Sequence, residues 1–176
     1  MAKESFGQKL MKMFGMQQPE QVAAAVELLV PVTGTVVALQ DVEDEAFSSE
    51  ALGKGCAIDP AVGEVYAPCD GVISVAPDTK HAVGITADNG AEVLVHVGMN
   101  TVELKGNGYE IFVTEDQRVK KGDLLLKFDI PTIKAAGLSI VTPVIVNNSD
   151  DYGTFTVVPA VGASVTHGEV LIQASK

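Results

Sequence analysis

From Val30 onward the chain alternates short apolar runs with turn-forming residues, and the periodicity inside the runs is two. Strands are predicted over 34–39, 64–66, 71–75, 81–86, 92–97, 123–128 and 154–158. Seventeen glycines and eight prolines interrupt these runs, as expected of a chain that closes many tight turns. Helical turns are expected only at 47–52 and 131–136, where Pro131 suits a first turn and Gly137 a last. The expected fold class is all-β, an antiparallel β-sandwich or barrel-sandwich with short helical turns.

Two internal echoes point to duplicated β-motifs. Pro31-Val-Thr-Gly34-Thr-Val36 and Pro68-Cys-Asp-Gly71-Val-Ile73 share a turn entering a strand, 37 residues apart. Val119-Lys-Lys-Gly122-Asp-Leu-Leu-Leu126 and Val165-Thr-His-Gly168-Glu-Val-Leu-Ile172 share Val-x-x-Gly-acidic-apolar-apolar-apolar, 46 apart. The second echo aligns His167 with Lys121 and makes it a solvated turn residue.

The start of the chain differs. Phe6, Leu10, Met13 and Phe14 fall on one helical face, and Lys3, Lys9 and Lys12 stand against Glu4 alone, a local +2. This basic amphipathic pattern suits weak contact of residues 1–16 with an anionic membrane surface. A polar hinge containing Pro19 follows, so the expected organisation is a tail and hinge over 1–21 and one domain over 22–176.

Charge and composition narrow the class. The chain has 176 residues, is 47% apolar and carries a net charge of -11, enough for a core and hostile to nucleic-acid phosphates. No apolar run reaches the roughly 18 residues of a membrane helix, and a signal peptide is not apparent, so a cytoplasmic protein is expected. Cys56 and Cys69 lie thirteen apart, outside any Cys-x-x-Cys pair, and are read as reduced thiols.

His81 and His96 lie on consecutive predicted strands joined by Asp88-Asn89-Gly90, a strong hairpin signal. A four-residue loop would set them directly opposite, and a two-residue turn would make them diagonal neighbours. A three-residue loop would put them on opposite faces. Alternation assigns Val93, Val95 and Val97 to the core and Leu94 and His96 to the outer face. A neutral imidazole is a nucleophile near pH 7, and a second one can stabilise a transferring phosphoryl group. From the pattern alone, the pair fits phosphoryl or acid–base chemistry, a metal site, or two unrelated surface histidines.

Thr79-Lys-His81-Ala-Val-Gly-Ile85, Val95-His96-Val-Gly98-Met-Asn-Thr101-Val-Glu-Leu-Lys-Gly106 and Gly122-Asp-Leu-Leu resemble the glucose-family enzyme IIA of the bacterial phosphoenolpyruvate-dependent sugar phosphotransferase system. The resemblance runs over about 28–150 and includes Pro31–Gly34, Gly53-Lys-Gly55, Asp70-Gly71 and Thr142-Pro-Val144. It implies that His96 accepts phosphate from the histidine phosphocarrier protein HPr and passes it to a cysteine of an enzyme IIB domain. His81 would be the stabilising partner, with Thr79 orienting it. Asp44, Phe47, Leu94, Val102, Asn100 and Asp150 would belong to an acidic and apolar docking rim. Asn100 stands where many relatives have Asp. No cofactor and no metal are implied.

Two other classes fit the sequence less well. A lysostaphin-like zinc peptidase needs a His-x-His element and further ligands, whereas this chain offers His96-Val-Gly98. A passive or lipoyl-like β-module would display a lysine in a tight hairpin, which Gly53-Lys-Gly55 is not.

Overall fold

Residues 25–176 are described in the computed structural model, and the period-two segments become strands. In chain order these are β1 (Val26–Leu29), β2 (Gly34–Val37), β3 (Lys54–Pro60), β4 (Glu64–Tyr66), β5 (Gly71–Val75), β6 (Ala82–Ala87) and β7 (Glu92–His96). They continue with β8 (Tyr109–Ile111), β9 (Arg118–Val119), β10 (Leu124–Phe128), β11 (Thr142–Val146), β12 (Thr154–Val157), β13 (Ser164–Val165) and β14 (Val170–Ser175). The amphipathic segment and hinge expected over 1–21 lie outside the described residues.

All pairings are antiparallel, as expected of an antiparallel β-sandwich. One sheet of eight strands runs β13-β2-β3-β11-β7-β6-β5-β9, and two three-stranded sheets run β1-β14-β12 and β4-β10-β8. The inward faces enclose one core that includes Leu28, Ile58, Ile73, Ile85, Val95, Leu126 and Ile172.

The echoes in the sequence are a duplication in space. Gly34 pairs with Val165 on β13, and Gly71 pairs with Val119 on β9. Leu28 pairs with Ile172 as Val65 pairs with Leu126. Where the copies meet, Leu29 N–H donates to Pro68 O at 2.9 Å and Tyr66 N–H donates to Pro31 O at 2.8 Å. A shift of 37 residues exchanges these two bonds. The large sheet reads alike from either end, and β4 to β10 form one copy inserted between β3 and β11 of the other.

The copies differ in how they enter the third strand. Residues 76–81 join β5 to β6 directly. The longer connection 38–53 instead folds over the outer face of the large sheet. It carries Leu39, Val42 and Phe47 against Ala57, Met99 and Ile145, a second and smaller core. Within it α1 (Glu45–Ser48) starts two residues before the expected 47–52, because Asp44 caps it by accepting from Ala46 N–H at 2.9 Å. The second helix, α2 (Ile130–Ala135), is capped by Asp129 and followed by Gly137.

Several strands escape the alternation pattern. β3 and β11 are covered on both faces, so Cys56-Ala-Ile58 and Thr142-Pro-Val-Ile-Val146 show no polar side. β1 and β8 are short and pair only where distant segments return to them.

Candidate functional site

β7 carries the alternation read from its sequence: Val93, Val95 and Val97 are buried in the core, and Leu94 and His96 lie half-buried on the outer face. The hairpin takes the third of the three registers the sequence left open. Ala82, not His81, faces His96, and Thr86 faces Glu92, which leaves Asp88-Asn89-Gly90 as a three-residue loop. Asn89 fixes this loop by accepting from Ala91 N–H at 3.1 Å, and Gly90 supplies the positive φ of 94°. In regular strands that register would separate the histidines. The rings nevertheless meet edge to face, with centroids 4.8 Å apart and planes at 82°. The chain bends at His81, just before β6 begins, so alternation no longer governs that side chain.

Each imidazole is fixed through Nδ1. That of His96 lies 2.8 Å from the Gly98 carbonyl, which can only accept, so Nδ1 carries the proton and Nε2 keeps its lone pair. That of His81 lies 2.8 Å from Thr79 Oγ1. Gly98 has φ 79°, and a Cβ there would come 2.6 Å from Ser139 O and 2.5 Å from Thr101 Cγ2. The preceding Val97 carbonyl accepts from Thr101 Oγ1 at 2.6 Å and Tyr109 OH at 3.1 Å, while Val97 N–H donates to His81 O at 2.7 Å. Val97 thus ties the two histidine-bearing segments together through its N–H and anchors the turn after Gly98 through its carbonyl.

Burial, with the positive charge of His81 second, pushes the His96 imidazole down to about 4. Its bond to Gly98 and the carboxylate of Asp44 oppose the shift. Burial lowers His81 as well, opposed by hydrogen bonding to the Thr79 backbone. Both rings are therefore neutral at pH 7, the form in which Nε2 is a nucleophile.

The other expected residues divide. Asp44 is half-buried, and its charge is felt at His96. Phe47, expected on an exposed rim, is 4% exposed and packs its ring 5.2 Å from His96. The fold of 38–53 turns it inward, so it walls the imidazole. Leu94 is half-buried, Asn100 is exposed with φ 57°, and Val102 is 50% exposed in the turn after Gly98. Asp150 is exposed but belongs to the turn 149–151, whose neighbour Asn148 accepts from Glu92 N–H. That is the far end of β7, roughly 13 Å of strand from His96.

The sequence did not reveal Val75. The bulge between Ile73 and Val75 sets it against Gly84 on the outer face, beside Leu94, with 43% of its surface exposed. Elsewhere, His167 is exposed in its turn, as expected, and stacks on Tyr66 at 3.9 Å. Cys56 and Cys69 are buried free thiols, both pushed up to about 12 by burial. Among the described residues, no group of three or more His, Cys, Asp or Glu is arranged to hold a metal ion, so the pair has no third ligand of that kind. None of the described helices is long and apolar enough to cross a membrane.

Comparison with known proteins gives concordant matches. The family described as phosphoenolpyruvate-dependent sugar phosphotransferase system, EIIA 1, matches residues 26–152. A PTS system beta-glucoside-specific EIIBCA component from Halalkalibacterium halodurans is 47% identical over 72% of this chain, which spans 20% of that relative's length. A PTS system glucose-specific EIIA component from Bacillus cereus is 41% identical over 80% of this chain and 84% of its own. The glucose permease IIA from Mycoplasma capricolum superposes with a TM-score of 0.77 at 39% identity, covering 85% of this chain and 95% of that one.

Proposed function

Because the chain belongs to the phosphoenolpyruvate-dependent sugar phosphotransferase system EIIA 1 family, we propose that its phosphoryl carrier role is performed by Nε2 of His96. The observation that carries this reading is the bond of His96 Nδ1 to the Gly98 carbonyl, which leaves Nε2 as the free lone pair beside a second imidazole. The zinc-peptidase and passive-module readings find no support in the family.

In the proposed step Nε2 attacks the phosphorus of a phosphohistidine on HPr. The new N–P bond forms as the donor's N–P bond breaks, and the donor imidazole leaves with the electron pair. The His96 ring gains positive charge against the phosphoryl dianion, and its Nδ1–H stays on the Gly98 carbonyl. The Thr79 hydroxyl donates to Nδ1 of His81, so that His81 Nε2–H points its donor at the phosphoryl oxygens. A cysteine thiolate of an EIIB domain then takes the phosphoryl group, forming S–P as N–P breaks, and His96 returns to the neutral ring. A fold that holds the acceptor ring neutral at pH 7 lets phosphoryl transfer begin without prior deprotonation.

Docking is proposed on the exposed Val75 and Val102 and the half-buried Leu94, with Asn100 beside them, and Asp44 supplies negative charge toward a basic partner. Relatives named EIIBCA support the partnership with EIIB. The proposed location is the cytoplasm, with the basic segment 1–16 adding contact with anionic lipid. The test is incubation with phosphoenolpyruvate and the phosphocarrier system: an acid-labile phosphoryl group should appear on His96 and should move to an EIIB domain added afterwards.

A further inference from the structure

Three residues around the histidine pair have left-handed backbones: Lys80 with φ 59°, Gly98 with φ 79° and Asn100 with φ 57°. Glycine takes this conformation freely, and asparagine tolerates it through local hydrogen bonding. Lysine has neither advantage. It stands immediately before His81.

The ladder makes that position consequential. Ala82 faces His96, and the next rung joins His81 to Val97 through the Val97 N–H bond. Facing residues share a side of a sheet, and Val97 is fully buried in the core. An unbroken strand would therefore send His81 into the core, on the opposite side from His96. Instead Lys80 N–H closes a turn on Pro77 O at 2.9 Å, the chain bends at His81, and the buried ring packs against His96 with Thr79 bonded to it. The lysine stem runs beside Gly106, 3.7 Å and 3.9 Å from where a Cβ there would sit.

We propose that the left-handed conformation of Lys80 converts the hairpin register, turning His81 from the core side to the His96 side, so that Lys80 is a positioning residue acting through its backbone and not its ammonium group. The inference rests on the reading of His96 as phosphoryl carrier and His81 as its stabiliser.

The test compares Lys80→Gly, Lys80→Asn and Lys80→Val in the full chain. Readouts are phosphorylation of His96, transfer from phosphorylated His96 to an EIIB domain, and the titration midpoint of His96 by NMR. Glycine and asparagine fit φ 59° and lack the charge, so transfer should stay within about twofold of the parent. Valine does not fit, so transfer should fall about tenfold while His96 is still phosphorylated, and the midpoint of His96 should move up toward its ordinary value. If Lys80→Val does not fold, Lys80→Ala, strained to a lesser degree, should show the same ordering against Lys80→Gly. Equal losses for glycine and valine would overturn the proposal in favour of the ammonium group, and an unaffected valine variant would overturn it outright. Absence of phosphate on His96 in the parent would instead overturn the carrier reading, and the titration would still decide whether Lys80 sets the position of His81.

Discussion

Val95 of β7 faces Val144 of β11 on the one rung that the internal duplication maps onto itself. Ala82 facing His96 in one copy corresponds to Gly55 facing Ile145 in the other, so His96 and Ile145 are equivalent positions on either side of that rung. Ile145 is sealed under Leu39, Val42 and Phe47, whereas His96 meets only the margin of that cover and stays half-buried. A symmetric fold acquires a single site through an asymmetric connection. The next rung in the β7–β11 register would join His96 to Pro143, which has no N–H to give, and the ladder stops there.

Equivalent glycines should fail alike. A Cβ on Gly34 would sit 2.1 Å from Asp59 O, and one on Gly71 would sit 2.3 Å from Thr86 O. Gly34→Ala and Gly71→Ala should each destabilise by about 3 kcal/mol, read from denaturant unfolding. Only Gly71→Ala, on the copy that carries the histidines, should also slow phosphoryl transfer.

Gly98→Ala should separate tautomer control from packing. The left-handed φ and the contact with Ser139 O predict a loss of about 1–3 kcal/mol. The displaced carbonyl would release His96 Nδ1, so ¹⁵N NMR should report a mixture of tautomers where the parent has one.

Stability should follow the titration of His96. With the folded ring down at about 4 against 6.5 unfolded, the unfolded chain binds the extra proton between those values. Stability due to this group is therefore present above pH 6.5 and is lost as pH falls to 4, by up to about 3 kcal/mol. Denaturant unfolding at a series of pH values should show this slope, and His96→Asn should flatten it.

Capping and the proposed docking role of Asp44 should be separable by mutation. Asp44→Ala removes the cap of α1 and should cost about 1 kcal/mol, whereas Asp44→Asn keeps a capping side chain. Association rates with HPr measured against ionic strength should fall for both variants and lose part of their salt dependence.

What the sequence disclosed was local. The alternation of Val93, Val95 and Val97 and the two Pro-x-x-Gly turns act over a few residues and survive into the structure. β3 and β11 were illegible because burial on both faces erases the period. Asp88-Asn89-Gly90 fits several loop lengths, and the choice of three residues rests on the Asn89 side chain and Gly90 conformation. The meeting of His81 and His96 depends on a left-handed lysine, a conformation that lysine does not advertise. Phe47 looked like a rim residue because its cover, the second core, is assembled from segments nearly a hundred residues apart.

The most direct measurement phosphorylates ¹⁵N-labelled protein with phosphoenolpyruvate and the phosphocarrier system, then locates the phosphoryl group by NMR and by mass spectrometry of the parent, His96→Ala and His81→Ala. The group should lie on Nε2 of His96, be absent from His96→Ala, and persist on His81→Ala with slow onward transfer to an EIIB domain. A phosphoryl group on His81, on Nδ1 of His96, or on the His96→Ala variant would contradict the assignment.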